Sequence, residues 1–234
     1  MIGFFDSGIG GLCVLSEFRK RFPTFDFSYY GDRVNCPYGD KEDEEIVDLT
    51  EKGVERLFDE GAEVVILACN TATVHSIRYL QQVRFPDKKI LGVTIPGAEK
   101  IVESGYRHVG VLATEGTVRI RAYKERVHIL DDSVSVHEVA APELVPLIEQ
   151  GIVKGDSVRR ALLPKLAEFR NIEALVLGCT HYPLVRTEIE ALLPGITIVD
   201  PGFEAAAKFA AYLERHPEIE GKITKNGTLR LSFS

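Results

Sequence analysis

The chain has 234 residues, of which 45% are hydrophobic and 27% charged, and a formal net charge of −7. That length forms one sizeable domain or two small ones, with a composition ordinary for a globular protein. No apolar run approaches the roughly 20 residues of a membrane-spanning helix, and the acidic balance speaks against a nucleic-acid partner, whose phosphates call for clustered Lys and Arg.

The opening Met1–Asp6 has no basic segment and meets an aspartate at once, so no signal peptide is expected and the predicted address is cytoplasmic. Short apolar runs, mostly β-branched or aromatic, then recur along the chain. They are Ile2–Phe5, Phe27–Tyr30, Val64–Ala68, Ile90–Val93, Val109–Ala113, Val134–Ala140, Ala174–Leu177 and Ile196–Val199. Amphipathic stretches at Glu42–Glu60, Thr73–Arg84, Ser157–Phe169 and Phe203–Arg215 have the helical period. Strands alternating with helices predict an α/β fold with a mainly parallel sheet, buried on both faces.

Two parts of the chain are alike. Glu63–Thr71 lies over Glu173–His181, and Ile2–Ser7 over Val109–Thr114, at offsets of 110 and 107 residues. Internal similarity of this kind predicts two similar lobes, each a mainly parallel sheet flanked by helices and related by pseudo-two-fold symmetry. Pro96 and Gly97 interrupt the pattern between them. The first lobe is expected at 1–95 with 203–234 returning to it, the second at 96–202, and the active site in the cleft between.

The chemistry sits at strand ends, where open α/β sheets bind ligands. There the chain carries Asp6-Ser7, Cys69-Asn70-Thr71, Thr114 with Thr117, and Cys179-Thr180-His181. A buried cysteine alone is usually a small hydrophobe. Two at equivalent strand ends, each followed by a polar run, suggest instead two thiols approaching one ligand from opposite sides. A two-base racemase needs that arrangement: one group removes a proton from one face of a carbon while another delivers one to the opposite face. With an ordinary pKa near 8.5, a thiol serves as acid or base close to neutrality. Asp6 is the candidate assistant of Cys69, and His181 that of Cys179.

Other features read more plainly. Gly8-Ile9-Gly10-Gly11 fails the dinucleotide fingerprint because Cys13 stands where glycine is wanted, and reads as a tight strand-to-helix turn. Cys13 and Cys36 read as packing residues, Cys36 in a loop near the site. His75, His108, His128, His137 and His216 read as structural or surface residues, and Arg119, Arg121, Lys124 and Arg126 as a solvated face. No close His/Cys set has metal-site spacing.

Phe5–Gly11, Gly31-Asp32 with Pro37-Tyr38-Gly39, Ala68–Ala72, Gly116–Val118, Val145–Glu149 and Gly178–Leu184 together resemble the glutamate racemases of the aspartate/glutamate racemase superfamily. The resemblance implies two α/β lobes and no pyridoxal phosphate, metal or other cofactor. It implies interconversion of L- and D-glutamate for peptidoglycan, and a homodimer. Carried over, Cys69 takes the α-proton of D-glutamate and Cys179 that of L-glutamate, with Asp6 and His181 in support. Ser7, Pro37, Tyr38, Gly39, Asn70, Thr71, Thr114, Thr117 and Thr180 then hold the substrate's carboxylates and ammonium, and Glu149 contacts the ammonium or His181. The chain departs from the pattern at Ala141, where cysteine is common, and at Asp200–Phe203, where a small-residue run is usual. An aspartate or other acidic amino-acid racemase, and a non-catalytic ligand-binding protein, are the alternatives.

Overall fold

In a computed structural model covering residues 1–234, every expected strand is present to within about a residue at each end. They are β1 (Ile2–Asp6), β2 (Phe27–Gly31), β3 (Val64–Leu67), β4 (Lys89–Gly92), β5 (His108–Ala113), β6 (Ser135–Ala140), β7 (Ala174–Gly178) and β8 (Thr197–Val199). Strands β1 to β4 lie side by side in the order β4-β3-β1-β2, and β5 to β8 repeat it as β8-β7-β5-β6. All these pairings are parallel. The internal likeness of the sequence is therefore a repeated topology, with β1 matching β5 and β3 matching β7.

Helices cover both faces of each sheet. In the first half they are α1 (Gly11–Arg21), α2 (Asp43–Asp59), α3 (Asn70–Tyr79) and α4 (Thr94–Glu103). The second half adds α5 (Glu115–Arg119), α6 (Ala122–Leu130), α7 (Leu144–Glu149), α8 (Asp156–Leu166), α9 (Arg186–Leu192), α10 (Pro201–Arg215) and α11 (Pro217–Glu220). Alternate strand side chains serve opposite layers. Ile2, Phe4, Val64 and Ile66 pack with Phe18 of α1 and Phe209 of α10, whereas Phe5, Val65 and Leu67 pack with Ile46, Val54 and Leu57 of α2. In the second sheet Val109, Val111, Ala174 and Val176 meet α4 and α6, and Leu112, Leu175 and Leu177 meet α7 to α9. Pro96 and Gly97 do not break the chain into a linker. They fall in the first turn of α4, where proline forfeits no helical hydrogen bond. Ala141 is fully buried, and its carbonyl accepts the Tyr182 hydroxyl at 2.8 Å.

One strand has no counterpart in the expectations. β9 (Leu229–Phe233) adds to the first sheet beside β2, parallel and at the edge. Asp26 anchors the approach to it, accepting from the Asn226 and Thr228 amides at 3.1 and 2.8 Å and from the Asn226 and Thr228 side chains at 2.7 Å each. Hydrogen bonds, led by that of Thr224, hold the Asp26 carboxyl below its usual range. A depressed carboxylate contributes stability that is fully present above its unfolded pKa and lost as pH falls through the folded one. Asp26→Ala is therefore expected to lower the melting temperature at pH 7 and to expose the tail to proteolysis, and the difference from the parent should shrink below about pH 4. An equal difference at pH 7 and pH 3 would remove the carboxylate's role.

No helix is long and apolar enough to cross a membrane.

Candidate active site

The carboxyl ends of β1, β3, β5 and β7 converge between the two sheets. Buried strands deliver the residues that follow them to this seam, and the chain there turns into helices. Cys69 follows β3 by two residues and is the N-cap of α3, its sulfur accepting the Ala72 amide at 3.4 Å. Its thiol also donates to Ser7 Oγ at 3.5 Å. Cys179 follows β7, its sulfur 3.7 Å from His181 Nδ1. Both cysteines line one enclosed cavity with Ser7, Pro37, Tyr38, Gly39, Asn70, Thr71, Thr114, Val145, Thr180 and His181. Its volume is ≈ 10 Å³, room for about one water. In this closed state the walls touch, so an amino acid enters only when they part.

Hydrogen bonds stitch the walls together. Thr71 and Thr114 hydroxyls lie 2.8 Å apart, and Thr114 donates to Thr117 at 3.0 Å. The Tyr123 hydroxyl crosses to Asn70 Oδ1 at 2.6 Å. Thr180 donates to Asp6 Oδ1 at 3.1 Å, and the Gly8 amide donates to Asp6 Oδ2 at 3.0 Å. Glu149 Oε1 lies 2.7 Å from His181 Nε2 and accepts the Ile9 amide at 2.9 Å. An ionised carboxylate only accepts, so it selects the tautomer with hydrogen on Nε2 and leaves the Nδ1 lone pair facing the Cys179 thiol.

Burial dominates the electrostatics. It pushes the Cys69 thiol up to about 11, aided by the charge of Asp6 and opposed by the Ala72 and Ser7 hydrogen bonds. Burial likewise raises Cys179 well above the usual thiol range. Asp6 is raised by burial, against the pull of His181 and of the Gly11 and Gly8 amides. For Glu149 burial also pushes upward, but hydrogen bonds from His181 and Ile9 outweigh it and hold the carboxyl low.

Of the fourteen residues expected here, eleven line the cavity, and Asp6, Thr117 and Glu149 stand one layer behind. Asp6 makes its hydrogen bonds to Gly8 and Thr180, so it reaches Cys69 through its charge alone. The Tyr38 hydroxyl is committed to Asp32 at 2.7 Å, which leaves its ring and backbone at the wall. Val145 also lines the cavity; it opens the Val145–Glu149 segment but is not among the expected site residues, because its apolar side chain reads as core. His75 is a structural residue of the seam: its ring meets the Gly116 carbonyl at 3.3 Å across it and Asp43 of its own half at 3.4 Å.

Two repeated parallel sheets, each offering a buried thiol at an equivalent strand end to one shared cavity, define a cleft enzyme with an ionisable group on each wall. A family model described as Asp/Glu/Hydantoin racemase matches residues 29–210. A glutamate racemase of Shouchella clausii is 39% identical over 92% of this chain and 78% of its own length, and one from a Ruegeria species is 38% identical over 94% and 87%. The solved structure of glutamate racemase from Francisella tularensis in complex with D-glutamate superimposes with a TM-score of 0.90 at 30% identity, covering 99% of this chain and 87% of that one. The chain belongs to the Asp/Glu/Hydantoin racemase family, and it is a racemase.

Proposed function

We propose that this racemase interconverts L- and D-glutamate by two-base proton transfer between Cys69 and Cys179, without an added cofactor, and so supplies D-glutamate for peptidoglycan in the cytoplasm, working as a homodimer. The observation that carries it is the pair of thiols at equivalent strand ends on opposite walls of one cavity. Cys69 acts on the α-proton of D-glutamate and Cys179 on that of L-glutamate, each returning a proton when the other abstracts. His181 Nδ1 is placed to take the Cys179 proton. The first-turn amides of α3 and the hydroxyls of Ser7, Thr71, Thr114 and Thr180 suit a substrate with two carboxylates and one ammonium. Pro37, Tyr38, Gly39 and Asn70 shape the same wall, while Asp6, Thr117 and Glu149 hold these groups from behind.

The test is the circular-dichroism signal of L-glutamate over time with purified protein and no pyridoxal phosphate. Decay to zero, with D-glutamate converging from the other side, is expected. A flat trace with glutamate and decay with aspartate would overturn the substrate assignment. Tight glutamate binding without α-proton exchange in D₂O would overturn the reaction.

Two further results are expected. Because burial holds Cys69 at about 11 in the free enzyme, its thiolate is the minor form at neutrality. kcat/KM should therefore climb with pH, roughly tenfold per unit between about pH 7 and 9. A profile flat over that range would remove the buried thiol as the base. The second concerns Gly10, where a Cβ would lie 2.6 Å from His181 Nδ1 and from Thr180 Oγ1. Gly10→Ala should push the β1 turn from the Cys179 wall and lower kcat/KM by roughly 100-fold, since misplacement near 1 Å has that effect. Unchanged kinetics would show that the two walls need not meet this closely.

A further inference from the structure

Cys36, Glu149 and His181 come from the loop after β2, the end of α7 and the run after β7. One ligand atom from each lies within 4.8 Å of the other two. Cys36 Sγ is 3.9 Å from Glu149 Oε1, the same oxygen that meets His181 Nε2 at 2.7 Å. Cys36 and Glu149 meet over Gly8, whose missing side chain leaves the opening. A Cβ there would stand 3.1 Å from Cys36 Sγ and collide with Glu149 Oε1.

A thiol, an imidazole nitrogen and a carboxylate form a donor set suited to zinc and its soft d¹⁰ relatives, with a fourth position left for water. The way in is an open surface groove lined by Arg33, Cys36, Pro37, Val145, Glu149 and Phe233. Arg33 stands at its mouth, 3.5 Å from Glu149 Oε2, with a side chain 48% exposed. An entering cation displaces this guanidinium into solvent.

We propose that Cys36, Glu149 and His181 form an inhibitory site for zinc or a similar thiophilic divalent cation, entered from the outer groove. The Cys36 sulfur, a Glu149 oxygen and His181 Nε2 bind the ion, and the thiol proton leaves to solvent. Nε2 gives up its hydrogen and the neutral ring carries its one proton on Nδ1. That N–H then faces Cys179 and no longer accepts its proton. Inhibition rests on the two-thiol reading above; binding does not.

The experiment titrates metal-free, full-length protein with Cd²⁺ and follows the thiolate-to-cadmium charge-transfer absorption. It compares the parent, Cys36→Ser and the double variant Cys69→Ser/Cys179→Ser. One ion per chain is expected in the parent and the double variant, with the band lost in Cys36→Ser. A band kept in Cys36→Ser and lost in the double variant would put the ion on the cleft thiols and overturn the site, as would no band in any of the three. In turnover assays Cys36→Ser should keep its metal-free kcat/KM and need at least roughly 100-fold more Zn²⁺ for half-inhibition, because losing a direct thiolate ligand weakens a site at least as much as losing a partner that only orients one. Stoichiometric binding with no loss of parent turnover would overturn the inhibitory role. Absence of racemisation in every sample, with the cadmium band as expected, would count against the function reading alone.

Discussion

Replacing either Cys69 or Cys179 with serine is expected to lower glutamate racemisation by roughly 10⁴-fold, the upper end of what one general acid or base contributes. Serine nearly preserves the volume at two sites where each sulfur is buried, so the fold should stand and the melting temperature change little. What is lost is the ionisable proton carrier, because an alcohol is far too weak an acid to serve in the thiol's place. The two variants should fail alike, since inversion needs a group on each face of the α-carbon. They should differ in a finer readout. With Cys179 intact and Cys69 replaced, L-glutamate still presents its α-proton to a working base and should exchange slowly with D₂O without racemising. With Cys69 intact, D-glutamate should do so. Full racemisation by either variant, measured by circular dichroism, would sink the two-base assignment. Exchange of both enantiomers in one variant would show that a single base reaches both faces.

Much of this arrangement is legible in the residues themselves. Strand ends put both cysteines at one cavity because buried parallel strands are continuous apolar runs, and the polar residue that stops such a run marks the end where open α/β sheets bind ligands. The repeat at offsets of 110 and 107 carried the topology, as β1 and β5 each sit between the next two strands of their own half, β2 and β3 in one sheet and β6 and β7 in the other. β9 escaped because Leu229–Phe233 is a half-exposed edge strand whose only sheet partner, β2, lies about 200 residues earlier. Nothing local distinguishes it from a tail until Asp26 is seen to hold Asn226 and Thr228. The metal-like cluster escaped for a related reason. Ligand spacing is a local signal, and residues 36, 149 and 181 lie on three distant segments that only the fold brings together. Likewise Asp6 reads as a partner of Cys69, its neighbour across the sheet, although its hydroxyl donor is Thr180 from the other wall.

Glu149→Gln is expected to lower kcat/KM by roughly 100-fold or more, although Glu149 lies behind the cavity wall. It is a positioning residue: its carboxylate fixes hydrogen on His181 Nε2 and turns the Nδ1 lone pair toward Cys179. An amide can present N–H to Nε2 instead, which selects the other tautomer and leaves Cys179 without an acceptor. The loss must be the same from both enantiomers, because L- and D-glutamate have equal free energies and the ratio of the two kcat/KM values is fixed at one. The asymmetry appears in isotope effects. If the Cys179 step has become the slow one, L-[2-²H]glutamate loses its deuteron in that step and should show a large primary effect on kcat/KM. D-[2-²H]glutamate loses its deuteron to Cys69 in a fast reversible step before the slow one, so its effect should collapse toward the small equilibrium value. Damage to the closed structure as a whole would slow both proton transfers together and leave the two isotope effects in their parent ratio. Equal effects from the two enantiomers in Glu149→Gln, where the parent's are equal, would therefore assign Glu149 to packing, and a split would tie it to the proton on His181.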